Sequence, residues 1–208
     1  MSTRFTIGII VFDGVLISEV VGPAEVFASA GSHGDFAGAD VLLIGVEPGS
    51  YVRTEEGVRL AVDTTIADDH RPLDVLLVPG GNEVSHLIEH PALNAYIQRQ
   101  AAGAQWIGSV CAGAFILGGA GVLDGKQATT WFGGESQLQA QFPAIQVIHD
   151  QPVVVDHRLM TANGGLVSYR AALTLLSQLS SIDHAKAVYN SLGISRLGTW
   201  ADIEASIG

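Results

Sequence analysis

The sequence predicts a doubly wound α/β sandwich: a mostly parallel sheet with helices on both faces, in one domain spanning residues 1–208. Three observations carry this expectation. The apolar runs Thr6 to Phe12 and Asp74 to Val78 have strand length and suit strands buried on both faces of a parallel sheet. Helical patterns alternate with such runs along the chain. The run from Trp106 to Val110 then passes through Cys111 directly into small residues that can open a helix. With 208 residues, 48% of them apolar, the chain is long enough for one well-cored α/β domain and short for two.

Taken in order, the first strand, Thr6 to Phe12, ends in the turn pair Asp13-Gly14 and is followed by a helix over Pro23 to Ala30. Ala39 to Gly45 forms the second strand. Thr54-Glu55-Glu56-Gly57, between Tyr51-Val52-Arg53 and Val58-Arg59-Leu60, reads as a hairpin. The third strand, Asp74 to Val78, stops at Pro79-Gly80-Gly81, and a helix over Pro91 to Ala102 leads to the fourth, Trp106 to Val110. Pro152 to Met160 forms a second hairpin around Asp156-His157. Both hairpins are expected as antiparallel additions at the sheet edges. Gly165 to Leu179 and Asp183 to Leu192 carry helical spacing and are expected to cover one face.

The uncharged stretch from Ala101 to Leu123 is long enough for a membrane-spanning helix, which needs about 20 apolar residues. Its six glycines, and its change from strand-like to helix-like pattern at Cys111, read instead as a strand and a buried helix. A net charge of −11 and a pI near 4.8 disfavour nucleic acid and anionic membrane surfaces as partners. One cysteine excludes an intrachain disulfide, and Met1-Ser2-Thr3-Arg4 runs into a strand pattern with no cleavage-site signature, so a cytoplasmic location is expected.

Cys111 is the most informative residue. At a tight strand-to-helix turn a side chain stands out of the sheet, backbone N–H groups face whatever it attacks, and the helix N-terminus favours thiolate over thiol. The plainer alternative is a small buried hydrophobe. In open α/β sheets ligands bind beyond the carboxyl ends of the strands. Glu19-Val20-Val21-Gly22-Pro23, Pro79-Gly80-Gly81-Asn82 and Cys111 all follow strands there.

Together these segments, with Ser109-Val110-Cys111-Ala112-Gly113-Ala114-Phe115 and Ala120 through Thr130, resemble the ThiJ/PfpI superfamily over Ile7 to about Leu192. That superfamily has a flavodoxin-like fold similar to class I glutamine amidotransferase domains. Within it the motifs look most like the isonitrile hydratase branch, and equally like the ligand-binding halves of certain AraC-type regulators. No helix-turn-helix output module is expected in the stretch up to Ile207, so the regulator reading lacks one. The resemblance implies Cys111 as nucleophile and Glu19 as its acidic partner. A buried carboxyl beside a thiolate has its pKa raised, so it can hold a proton near neutrality. It further implies an oxyanion hole from the N–H groups of Gly81 and Ala112, with Asn82 behind the glycine loop. The plainer alternatives are a first-turn surface acid for Glu19 and an ordinary β-turn for the glycine pair.

Three positions depart from the pattern. Trp131 follows Thr129-Thr130 where many relatives carry histidine, so a Cys-His-acid protease triad is not expected. Trp131 is read as an apolar pocket wall or a core residue. Ala112 stands where the hydratase branch commonly has threonine, and Arg170 where relatives often have aspartate. His86 is a candidate replacement base or a solvated helix residue. His86 and His90 lack a third ligand for zinc.

The expected function is a cofactor-free, cysteine-dependent enzyme hydrating an isonitrile to an N-substituted formamide. The alternatives are a glyoxalase-like activity on reactive aldehydes, or a small-molecule or redox sensor. A homodimer is expected from the resemblance.

Overall fold

In a computed structural model, residues 4–32, 38–199 and 202 are described. The chain runs β1 (Phe5–Val11), α1 (Ile17–Ala30), β2 (Ala39–Gly45), β3 (Tyr51–Arg53), β4 (Arg59–Ala61), β5 (Thr64–Thr65) and β6 (Val75–Val78). It continues through α2 (Ser85–Ile88), α3 (Pro91–Gly103), β7 (Trp106–Val110), α4 (Gly113–Gly119), β8 (Gln127–Ala128), α5 (Glu135–Gln141) and β9 (Gln146–Val147). Then come β10 (Val153–Asp156), β11 (Leu159–Ala162), α6 (Val167–Leu179) and α7 (Ile182–Ser191), followed by a single 3-10 turn (Ile194–Arg196).

Seven strands form one sheet in the order β10-β11-β7-β6-β1-β2-β5, all parallel except β10. This is the doubly wound α/β architecture expected from the apolar runs. Ile7, Ile9, Ile10 and Val11 of β1 and all four residues of β6 are buried, which is why these strands read as continuous hydrophobic segments rather than alternating ones. Helices α1, α6 and α7 pack together as one layer, and α2, α3 and α4 as another. From β1 the chain builds outward to β2 and β5, then returns to the other side of β1 with β6, β7 and β11. The strand order therefore reverses between β1 and β6, the position at which open α/β sheets form a crevice.

Helix α1 starts at Ile17, six residues before the expected Pro23, and the proline lies inside it. Burial of Val20, Val26 and Phe27 holds the helix together despite the hydrogen bond that proline removes. Helix α3 follows its signals: Pro91 occupies the first turn and the His90 ring nitrogen accepts from the Leu93 N–H at 3.2 Å.

The hairpins differ from expectation. β3 and β4 pair in antiparallel register as a separate two-stranded sheet, not as an edge of the main one. The hairpin is fastened over the end of β1 instead, where Gly14 N donates to Arg53 O (2.8 Å), Arg53 N to Asp13 Oδ1 (2.7 Å) and Glu55 N to Val15 O (3.0 Å). Of the second hairpin only β10 is an antiparallel edge, because β11 inserts parallel to β7. No helix among the described residues is long and apolar enough to cross a membrane.

Candidate active site

Cys111 directly follows β7 with φ = 54°, in the left-handed region that a non-glycine residue enters at a cost of about 1–2 kcal/mol. The surroundings fix it there. Its N–H donates to Ala162 O at 2.9 Å, and its carbonyl accepts from Thr130 Oγ1 at 2.8 Å. Asn163 Nδ2 donates in turn to the Thr130 carbonyl. This strained bend turns the thiol out of the sheet at the point where α4 begins, as the strand-to-helix junction in the sequence suggested.

Glu19, in the first turn of α1, is fully buried and so is not a surface acid. Its Oε2 accepts from Gly80 N at 2.7 Å and its Oε1 from Gly165 N at 3.0 Å, so loops after β6 and β11 both close on one carboxyl group. A Cβ built on Gly164 would lie 2.7 Å from Glu19 Oε1 and 2.8 Å from Cys111 Sγ. The acid and the thiol therefore flank one point in space, which a glycine leaves clear. Gly80 is equally confined: a Cβ there would lie 2.5 Å from the Ala112 nitrogen and 2.9 Å from Cys111 Cβ.

The protonation states follow from burial. Desolvation raises the pKa of Glu19, partly offset by the N–H groups of Gly80 and Gly165. Desolvation, then repulsion from Glu19, pushes the Cys111 thiol up to about 12, although the Ala112 N–H pulls in the other direction. The helix N-terminus thus does not outweigh burial, and the surroundings favour the thiol over the thiolate that the strand-to-helix junction alone suggested. Two groups this close titrate as a pair.

Cys111, Gly81, Asn82, Ala112 and Trp131 line one cavity of about 530 Å³, while Glu19 is fully buried and does not line it. The indole of Trp131 stacks on Phe115 with ring centroids 4.9 Å apart and 21° between planes, so it is both a pocket wall and part of the packing. His86 is exposed and does not line the cavity. Arg170 is exposed on α6 and likewise lies away from it, so its departure from the family pattern does not alter the lining. No group of three or more His, Cys, Asp or Glu among the described residues could hold a metal ion.

Sequence reasoning passed over Gly80, Gly164 and Gly165. Their signal was the repeated Gly-Gly after strands, in which the first glycine at each doublet packs against the cysteine or its neighbour.

Fold and site together define an α/β protein with a cysteine at a strained strand-to-helix elbow, paired with a buried carboxyl at the topological switch point. A family model described as DJ-1/PfpI family matches residues 6–178, and the chain belongs to that family. It is 35% identical over 182 residues to the isonitrile hydratase of Pseudomonas putida, covering 88% of this chain and 75% of the relative. It is 22% identical over 179 residues to the glutathione-independent glyoxalase DJR-1.2 of Caenorhabditis elegans, covering 86% and 90%. The crystal structure of a ThiJ/PfpI family protein from Pseudomonas syringae superposes with a TM-score of 0.81 at 25% identity, covering 95% of this chain and 77% of that one.

Proposed function

We propose that the protein hydrates a small isonitrile to an N-substituted formamide through Cys111 and Glu19. The observation that carries this reading is the single point flanked by Glu19 Oε1 and Cys111 Sγ, where a proton can pass between acid, sulfur and substrate carbon. Glu19, as carboxylate, takes the thiol proton while sulfur adds to the terminal isocyano carbon. Glu19 then returns that proton to the same carbon, giving a thioimidate. Net addition of S–H across the isocyano carbon returns Glu19 to its starting carboxylate and leaves Cys111 in a neutral thioimidate, so the step changes no net charge. Water next adds to the thioimidate carbon, and collapse of the adduct releases the formamide and restores the thiol. The N–H groups of Gly81 and Ala112 are the proposed donors for charge developing during addition. This chemistry leaves the raised thiol in place, because the base is adjacent and the thiolate forms only as it attacks.

The similarity to glyoxalases favours a second reading, in which the same sulfur adds to a reactive aldehyde and a hemithioacetal forms. The two are separated by one experiment: turnover of phenyl isonitrile and of methylglyoxal by the wild type and by Cys111→Ala. Cysteine-dependent formamide production is the expected result. Cysteine-dependent loss of methylglyoxal without formamide would replace the first reading by the second.

A further inference from the structure

We propose that Gln137 and Gln141 are the specificity-determining residues of the Cys111 cavity, selecting a neutral substrate whose far end carries a hydrogen-bonding group such as an amide. The inference rests on the cysteine-addition reading and names its substrate class. Gln137 and Gln141 stand one turn apart on α5, on the same helix face, and both line the cavity. Among the described residues neither side-chain amide is engaged in a hydrogen bond, and both are exposed. Gln139, between them in sequence, shows the contrast: its Nε2 donates to Ile145 O at 2.9 Å and its Oε1 accepts from Val147 N at 3.2 Å. One glutamine of α5 is thus spent on structure while two present donors and acceptors to the pocket.

The charge of the lining decides against anions. Apart from Cys111, Glu83 is the one ionisable residue in it among the described residues, and its carboxylate already accepts from Ser85 N at 2.7 Å. Among the described residues no lysine, arginine or histidine lines the cavity, and the whole chain carries −11. A carboxylate-bearing substrate would meet repulsion with no cation to offset it. The Trp131–Phe115 stack supplies an apolar wall for a ring, which leaves the glutamine amides for the polar end.

The test compares phenyl isonitrile with its para-carboxamide and para-carboxylate derivatives. The wild type is expected to favour the carboxamide over the carboxylate by about a hundredfold in kcat/KM, and over phenyl isonitrile by about tenfold. Gln137→Ala/Gln141→Ala is expected to raise KM for the carboxamide about tenfold with little change in kcat. A wild type with no carboxamide preference, or a double variant that slows all three substrates alike, overturns the proposal.

Should the wild type hydrate none of them, the hydratase reading fails and the pocket assignment is decided separately, by alkylation of Cys111 with iodoacetamide. Benzamide is expected to slow alkylation in the wild type but not in the double variant, and benzoate in neither. Equal protection by benzoate, or protection by benzamide that survives in the double variant, overturns the assignment.

Discussion

Gly164→Ala isolates the geometry of the acid–thiol pair. Gly164 has no left-handed backbone, so alanine is conformationally permitted and the added methyl is the whole perturbation. That methyl would sit 2.7 Å from Glu19 Oε1, 2.8 Å from Cys111 Sγ and 2.9 Å from Cys111 Cβ. Ordinary contact requires about 3.5 Å, so each neighbour must retreat by roughly 0.7 Å. The carboxyl is held by Gly80 N and Gly165 N, and Cys111 by Ala162 and Thr130, so neither can swing aside freely. Overpacking of this kind costs about 1–3 kcal/mol of stability. A misplacement approaching 1 Å at reacting groups costs about a hundredfold in rate. Gly165→Ala is the matched control. It has open space around its Cβ but φ = 63°, so it is expected to lose about 1 kcal/mol of stability and far less activity. Formamide production and urea unfolding of the two variants measure both quantities. Wild-type turnover in a folded Gly164→Ala protein would refute the claim that the acid and thiol act across that gap.

Three further outcomes follow from the same site. Glu19→Gln removes the carboxylate that raises the Cys111 pKa, so the pH midpoint of Cys111 alkylation by iodoacetamide is expected to fall while turnover is lost; an unchanged midpoint would separate the two groups electrostatically. The same comparison has a stability sign. Burial raises the folded pKa of Glu19 above its unfolded value, so its favourable contribution is complete below the unfolded pKa and is lost as pH rises through the folded one. Wild type is therefore expected to gain stability relative to Glu19→Gln as pH falls from 8 to 5, as read by urea midpoints across that range. Trp131→Ala removes the stack on Phe115 and one wall of the cavity, and is expected to cost about 1–3 kcal/mol of stability and to raise KM for aryl substrates more than it lowers kcat.

The residues that form β1, β6 and β7 were legible as strands because burial on both faces leaves the runs almost entirely apolar, with Thr6 and Ser109 the polar exceptions. Cys111 was legible as the elbow because the pattern changes character at that residue, whereas Glu19, Gly81 and Ala112 were singled out by the resemblance of their segments to the ThiJ/PfpI superfamily. The separate β3–β4 hairpin and the insertion of β11 beside β7 were not legible. Which strand neighbours which depends on contacts between distant segments, and local alternation is the same for an edge strand as for an inner one. The state of the thiol also waited for the tertiary structure. Sequence shows a cysteine at a helix start, which favours thiolate, but burial, and after it the carboxyl placed against the sulfur by α1 and the loop after β11, sets the opposite direction. The roles of Gly164, Gln137 and Gln141 are of the same kind. A local pattern determines what a residue can do, whereas its distance from residues far along the chain decides what it faces.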